Sequence, residues 1–300
     1  MKRTTCFLLL AFSPWPAHAA NWDQWRGPDR SGYVADSTIL IDELPADGLK
    51  PVWQSEAIES GRDGNWSSPI VADGKVYLFV HQRTKIEGAE LPKRQYPWLA
   101  PNKRGHLTPA EYKVYEENRR DEDERLGENY TFKEIVYCLD EKTGKTLWEN
   151  EKKGTRTRFV QSGTLTLHEG RLYVLGAPRT LRCIDTTTTK TVWETRLPGD
   201  FRDEFYSSCV AVADNTAVLL AGRLFGVDIE NGDILWTGDE EKTSGAHSSP
   251  VVWSNDGHDL IIVNAGPGDT VCLEPRTGKE RWRIDSGAKN STPVIVKYDR

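Results

Sequence analysis

One repeated stretch of sequence decides the fold, and its clearest copy is residues 138–148, which read Cys-Leu-Asp-Glu-Lys-Thr-Gly-Lys-Thr-Leu-Trp. Three further segments align with it without gaps, namely CIDTTTTKTVW at 183–193, GVDIENGDILW at 226–236 and CLEPRTGKERW at 272–282. Their final tryptophans are separated by 45, 43 and 46 residues, and a degenerate fifth copy ends at Trp53. A fixed period of this length is the signature of a repeat architecture.

A second element lies between these copies and supplies the rest of each repeat. It begins with a serine and continues as two β-rich runs joined by a tight turn, at Ser67, Ser162, Ser207, Ser248 and Ser291. The first of these hairpins reads Val-Ala-Asp-Gly-Lys-Val-Tyr at 71–77, and an Asp-Gly pair between β-rich runs is a strong hairpin signal. Each repeat therefore holds about four short strands, the content of one propeller blade. We predict an all-β protein, a β-propeller of four-stranded blades with one inserted helix.

The positions that the copies share predict structure rather than chemistry. In each copy an acidic residue opens a turn and a tryptophan ends the next strand, buried against the neighbouring blade. In three of the four copies a glycine in the turn supplies a positive φ. The structural positions predicted in this way are Asp140, Gly144, Trp148, Asp185, Trp193, Asp228, Gly232, Trp236, Gly278 and Trp282. The second copy has threonines at 186–189 in place of the glycine turn, so we expect that turn to use another geometry or to bear strain.

Residues 1–20 have the pattern of a signal peptide. They combine a basic start at Lys2 and Arg3, a brief apolar run at 6–12 and a small-x-small cleavage pattern at 17–19. We therefore predict a chain that is exported to the periplasm or secreted. No later segment reaches the roughly 20 apolar residues of a transmembrane helix, so none is expected. The formal net charge of −6 argues against a nucleic-acid partner, which requires a basic surface.

Four cysteines follow the predicted signal peptide, at Cys138, Cys183, Cys209 and Cys272. Three of the four occupy one equivalent strand position in different repeats, and such positions should point into separate blade interfaces. This favours buried free thiols, while an exported context also permits at least one disulfide.

The pattern small-x-Asp-x-x-Thr-Gly-Lys-x-x-Trp, as in residues 138–148 and 272–282, resembles the tryptophan-docking repeat of the pyrroloquinoline quinone-like (quinoprotein-like) β-propeller family. The resemblance covers about residues 50–300, and the opening Trp-Asp-Gln-Trp-Arg-Gly-Pro at 22–28 looks like the start of exported members. The family includes quinoprotein alcohol dehydrogenases and a non-catalytic outer-membrane assembly scaffold. Because Cys6 lacks a lipobox, the chain is closest in kind to an unlipidated relative of the scaffold.

The number of repeats predicts an incomplete ring. Related propellers have about seven or eight blades, whereas the tryptophan units end at positions 53, 148, 193, 236 and 282 and are followed by the first strand of another blade. A propeller that stopped there would expose a hydrophobic strand edge. We expect a signal peptide at 1–20 and a partial propeller at 21–300, in a sequence that is a fragment of a longer protein or pairs with another chain.

An insertion at 82–133 interrupts the first blade. Thr108, Pro109 and Glu111 form a capping box with proline at the first helical position, which predicts a helix ending at Gly127. Two interpretations are open: a solvated helix lying over one face of the ring, or a lid or partner-binding arm.

The residues before the recurring serines are the candidates for a binding site. If each serine opens the innermost strand, these residues surround one mouth of the central channel, where arginines and aromatic rings suit an acidic small molecule. The alternative is ordinary loop residues in local ion pairs. The candidates are Arg62, Trp66, Arg158, Gln161, Arg202, Tyr206, His247 and Asn290.

Two functions compete. The first is an exported, non-catalytic scaffold that binds exported or envelope proteins, favoured because the sequence shows many packing positions and no catalytic or metal motif. The second, implied by the resemblance, is a dehydrogenase or a fragment of one, with pyrroloquinoline quinone and Ca²⁺ as cofactors. Such enzymes place a vicinal Cys-Cys pair over the quinone, a Ca²⁺ held by Glu, Asn and Asp, and an Asp base. No two cysteines are adjacent in the sequence, and no acidic residue maps onto those roles.

Overall fold

The computed structural model describes residues 21–34, 42–59, 66–157, 161–199, 206–288 and 290–296. The predicted signal peptide at 1–20 lies outside the described residues.

Within the described ranges the chain forms four antiparallel sheets of four strands each, which follow one another along the sequence. The first sheet contains β1 (Ile70–Ala72), β2 (Lys75–Lys85), β3 (Tyr130–Asp140) and β4 (Thr146–Lys153). The second contains β5 (Thr166–His168), β6 (Arg171–Gly176), β7 (Thr180–Asp185) and β8 (Thr191–Arg196). The third contains β9 (Ala211–Ala213), β10 (Thr216–Leu220), β11 (Leu224–Asp228) and β12 (Ile234–Thr237). The fourth contains β13 (Val251–Asn255), β14 (His258–Ala265), β15 (Asp269–Leu273) and β16 (Glu280–Asp285).

In every sheet the strands pair in chain order, as in a propeller blade, and the four blades are not closed into a ring. The first strand of each blade is the innermost, because β5, β9 and β13 contact one another across neighbouring blades. The last strand is the outermost, since the side chains of β4, β8 and β12 are exposed or half-buried. These features confirm the predicted all-β fold of four-stranded blades.

The core lies between the blades rather than inside any one of them. Three buried clusters fill the three successive interfaces. The second interface, for example, brings Tyr173 and Leu181 of one blade against Ala217 and Phe225 of the next. The second and third sheets are covered on both faces by their neighbours, so their central strands are almost continuously buried.

The aligned small residue and tryptophan of each repeat are cross-strand partners. The pairs are Cys138 with Trp148, Cys183 with Trp193, Gly226 with Trp236 and Cys272 with Trp282, and a bulge follows each pair. In the third blade a Cβ at Gly226 would lie 2.1 Å from the indole nitrogen of Trp236. In the third blade a side chain at this position would therefore clash with the ring.

The four described cysteines are buried free thiols. Three of them, Cys138, Cys183 and Cys272, lie on the third strands of different blades. The free-thiol prediction is confirmed.

The tryptophan of one blade lies over the turn of the next. The ring of Trp53 covers Gly144, that of Trp193 covers Gly232, and that of Trp236 covers Gly278, each so closely that an added Cβ would come within 2.8 Å of the ring. Each indole N–H also donates to a backbone carbonyl of the covered turn, with acceptors at Glu141 (2.6 Å), Ile229 (3.0 Å) and Pro275 (2.8 Å).

The threonine turn of the second blade keeps the glycine geometry and bears strain. Thr189 has φ of 62°, close to the 69° of Gly144 and the 68° of Gly278. A β-branched residue in this left-handed region is unfavourable. Among the described residues, the indole N–H of Trp148 does not donate to a backbone carbonyl of the threonine turn, whereas Trp53, Trp193 and Trp236 each donate to a carbonyl of their turn. Asn150 instead donates its side-chain amide to the Thr189 carbonyl at 3.0 Å.

The insertion between β2 and β3 contains a short 3-10 turn at Pro101–Lys103 and α1 (Pro109–Gly127). The predicted capping box is confirmed: the Glu111 N–H donates to the Thr108 hydroxyl at 3.3 Å, and the Glu111 carboxylate accepts from the Thr108 N–H at 2.8 Å. A second short helix, α2 (Glu240–Thr243), lies between the third and fourth blades.

Candidate functional site

The segment at 21–34 is the first described part of the chain, and it contacts the innermost strands. Trp22 forms an antiparallel bridge with Val71 of β1, with N···O distances of 2.7 and 2.9 Å. The next residue, Asp23, accepts from the Leu167 N–H of β5 at 2.8 Å. The segment thus lies against the inner strands of the first two blades.

Arg30 extends this contact to the third and fourth blades. Its side chain is buried and donates to the carbonyls of Val210 and Pro250, the latter at 2.6 Å, and to the Thr166 hydroxyl at 3.4 Å. These acceptors lie in or directly before β5, β9 and β13, so the guanidinium lies where three inner strands meet. Burial lowers its pKa to about 10, and the group therefore stays charged at neutral pH.

This part of the axis does not fit a quinone site with Ca²⁺. Ca²⁺ takes six to eight oxygen ligands, whereas the carbonyl oxygens of Val210 and Pro250 already accept from Arg30. The fixed, positively charged guanidinium of Arg30 would also repel a cation bound next to it. Within the described ranges, no three His, Cys, Asp or Glu side chains lie close enough together to hold a metal ion.

The recurring Ser-rich motif joins successive blades near the inner strands. A backbone N–H of one blade donates to a side chain of the next, from Ser68 to Thr164 (3.0 Å), from Thr164 to the Cys209 thiol (3.4 Å), from Cys209 to Ser249 (2.9 Å) and from Ser249 to Thr292 (3.0 Å). Side chains next to the recurring serines, three hydroxyls and one thiol, are thus used for contacts between blades.

The predicted channel-mouth residues are only partly brought together. Arg62, Arg158 and Arg202 lie outside the described residues. Gln161 and Tyr206 are buried, His247 is half-buried, and Trp66 and Asn290 are exposed.

The two buried residues of this set bind the backbone and each other. The Tyr206 N–H donates to the Gln161 side-chain oxygen at 3.0 Å, and the Tyr206 hydroxyl accepts from Arg179 at 2.6 Å. His247 Nδ1 lies 3.0 Å from the Ser207 hydroxyl, and burial lowers the pKa of His247. These contacts again connect neighbouring blades.

His81 was not recognised in the sequence, because a single histidine in a β-strand has no distinguishing pattern. It is fully buried, its Nδ1 accepts from the Gln161 N–H at 3.0 Å, and its Nε2 lies 3.1 Å from the Thr155 carbonyl. These two partners require the neutral imidazole with the proton on Nε2. Burial lowers the pKa of His81 to about 4.

Arg30 was also missed, although it follows the Trp-Asp-Gln-Trp-Arg-Gly-Pro motif that was noted in the sequence. Its contact with Pro250 spans 220 residues, and no local pattern indicates a partner so distant. The described helices include none that is long and apolar enough to cross a bilayer.

Comparison with known families identifies one match, over residues 133–297, to a family model described as outer membrane protein assembly factor BamB. This range is more than half of the chain. No curated protein matches the chain.

Solved structures give similar folds at low identity. Quinohemoprotein alcohol dehydrogenase ADHIIG from Pseudomonas putida HK5 has a TM-score of 0.54 and 16% identity, over 90% of this chain and 41% of that one. Quinohemoprotein alcohol dehydrogenase from Comamonas testosteroni has a TM-score of 0.53 and 16% identity, over 90% and 42%. BamB from Moraxella catarrhalis is 20% identical over 53% of this chain and 50% of that one, with a TM-score of 0.40. The chain thus spans half or less of the length of these proteins, and the two dehydrogenase structures support the fold alone.

Proposed function

The chain belongs to the family described as outer membrane protein assembly factor BamB, a family of pyrroloquinoline quinone-like repeat β-propellers, and from this premise we propose that it is an exported, non-catalytic scaffold that binds other envelope proteins. One observation carries the proposal. The Arg30 guanidinium is buried where the inner strands of three blades meet and binds all three of them. A propeller whose inner strands are bound together by its own chain offers its outer strands and insertions to partners.

Part of the proposal is that the repeated tryptophans are docking residues, which hold adjacent blades together. Its support is the position of Trp53, Trp193 and Trp236 over the glycine turns of the following blades. The indole of each buries about 150–250 Å² in such a contact. The repeat thereby builds a rigid surface that partners can bind.

Export is a further part of the proposal and rests on the sequence of residues 1–20. We expect cell fractionation to find the full-length gene product outside the cytoplasm and N-terminal sequencing to begin at residue 20 or 21. Recovery of an uncleaved cytoplasmic chain would contradict it.

The binding function is tested by crosslinking in cells that produce the protein from its own gene, followed by identification of the captured envelope proteins. A matched variant is available because Lys85 and Tyr130 are the last paired residues of β2 and β3. Replacing residues 86–129 by an Asn-Gly turn should close this hairpin and leave the blade intact. If the insertion is a partner-binding arm, this variant should unfold cooperatively but lose captured proteins.

Capture of no envelope protein above background by the unmodified chain would contradict the scaffold function. The same protein is then mixed with pyrroloquinoline quinone and Ca²⁺. A rise in melting temperature by mass action, together with dye reduction by alcohols, would favour the dehydrogenase alternative instead.

A further inference from the structure

A cleft of about 290 Å³ lies where the insertion meets the first blade. Its walls come from the end of α1, the segment before that helix, the extended ends of β2 and β3, and the residues after β4. The lining residues are Arg83, Leu91, Pro92, Arg94, Asp123, Leu126, Gly127, Tyr130, Phe132, Arg156 and Thr157. None of them belongs to the channel mouth or the axis.

Three arginines and one aspartate are the charged residues of the lining. Both carboxylate oxygens of the aspartate are already engaged. Asp123 Oδ1 lies 2.5 Å from Arg94, and Oδ2 lies 2.8 Å from Arg119, which is buried behind the cleft. Asp123 therefore offsets the charge of its neighbours and does not compensate Arg156.

Arg156 is held in place without a carboxylate partner among the described residues. Its Nε donates to the Asp123 backbone carbonyl at 2.9 Å, while its Nη2 is buried and has no hydrogen-bond partner. A buried donor without an acceptor is unfavourable, and an oxyanion bound against the guanidinium would supply the missing acceptor.

A glycine positions this side chain. A Cβ added at Gly127 would lie 2.0 Å from Cδ of Arg156, so the arginine stem crosses the end of α1 only because that residue has no side chain. Gly127 is thus the residue that lets Arg156 reach the cleft.

The remaining walls are apolar or aromatic. Leu91, Pro92, Leu126 and Phe132 line the cleft, and the guanidinium of Arg83 lies 4.8 Å above the ring of Tyr130. Such walls favour a flat or aliphatic group next to the anion.

We propose that this cleft binds a small organic anion, a carboxylate or phosphate carried on an aromatic or aliphatic body, with Arg156 as the residue that holds the charged group. The volume suits a ligand of this size, near the lower end of known ligand pockets. The site is independent of the scaffold function and of the channel mouth.

The test is titration calorimetry of the purified full-length protein at low salt with three probes, benzoate, phenyl phosphate and the neutral benzamide. We expect saturable binding of benzoate or phenyl phosphate, and binding of benzamide weaker by about tenfold or more, since a charge-assisted bond is lost. The anion that binds more tightly shows whether the natural ligand carries a carboxylate or a phosphate.

Arg156→Gln should weaken binding of the anion by about tenfold or more, whereas Arg281→Gln, a control at an exposed arginine paired with Glu274, should leave it unchanged. If Arg156→Gln does not fold, Gly127→Ala takes its place, because it keeps every charge but displaces Arg156. Its control is Gly105→Ala, where an added Cβ meets no atom within 4 Å.

Three results would overturn the proposal. They are equal binding of benzamide and benzoate, unchanged binding by the folded Arg156 or Gly127 variant, and no saturable binding of either anion up to about 10 mM.

Discussion

At the scale of the residue, His81 shows how burial determines a protonation state. Both ring nitrogens are used, by the Gln161 N–H and the Thr155 carbonyl, and the ring lies 5.9 Å from that of Phe132. Burial is the main cause of the low pKa, and the positive charge of Arg83 lowers it further. The imidazole is therefore neutral in the folded protein at neutral pH.

The pH dependence of stability follows from this state. Because the pKa of His81 is about 4 in the folded protein and about 6.5 in an unfolded chain, the unfolded state binds the proton first. Its contribution to stability is complete above pH 6.5 and is lost as the pH falls towards 4, by up to about 3 kcal/mol. Urea unfolding at several pH values should show this loss for the wild type and a flatter profile for His81→Gln. The exposed His258→Asn variant is the control, and an unchanged profile in His81→Gln would contradict the assignment.

The thiols make a second prediction at this scale. Burial raises the pKa of Cys138 and of Cys183 to about 11, and the thiolate is the reactive form. A disulfide reagent at pH 8 should label neither residue in the native protein within minutes. After denaturation in urea without reductant, four thiols should react in the chain that begins after residue 20. Fewer than four would indicate a disulfide.

At the scale of the element, the turn between β7 and β8 departs from the other three. Thr189 adopts a φ of 62°, where its equivalents in the other blades are glycines. The neighbouring Thr188 hydroxyl still donates to the Asp185 carboxylate at 2.9 Å. The turn therefore keeps its side-chain hydrogen bonds and carries backbone strain.

Thr189→Gly should therefore stabilise the protein. A left-handed conformation costs a non-glycine residue about 1–2 kcal/mol, which exceeds the loss of about 0.5–1 kcal/mol from the greater freedom of glycine in the unfolded chain. The net gain is about 1 kcal/mol, measured as a rise in the denaturant midpoint. Thr187→Gly, two residues earlier and without positive φ, should destabilise. A lower midpoint for Thr189→Gly would show that the turn is not strained.

At the scale of the whole molecule, the N-terminal segment at 21–34 connects four blades. Trp22 bridges the first blade, Asp23 the second, and Arg30 reaches the second, third and fourth. Arg30 has a φ of 50°, unfavourable for a residue other than glycine. Its buried hydrogen bonds must offset this cost.

Arg30→Gln should destabilise the protein by roughly 2–4 kcal/mol, because two buried carbonyls lose a charged donor. The comparison is Arg276→Gln, at an arginine whose side chain is 42% exposed in an ion pair with Asp228, where a change below about 1 kcal/mol is expected. Guanidinium unfolding of both variants measures the difference. Equal midpoints for Arg30→Gln and the wild type would show that the segment does not hold the blades together.

The sequence by itself determined the features that depend on local spacing. The repeat of small residue, turn and tryptophan set the strand register, because a cross-strand pair and its bulge lie within about ten residues of chain. The capping box at Thr108 and the separate positions of the cysteines followed in the same way. Each of these depends on contacts inside one repeat or one helix end.

The tertiary structure alone decided what the polar residues do. Gln161 and Tyr206 are predicted from the sequence as channel-mouth residues, and the structure shows that they also connect neighbouring blades. Arg30 and the cleft around Arg156 have no sequence signal, because their partners come from different blades or from the insertion. Such contacts exist only after the blades are arranged around a common axis, and no local pattern of residues encodes that arrangement.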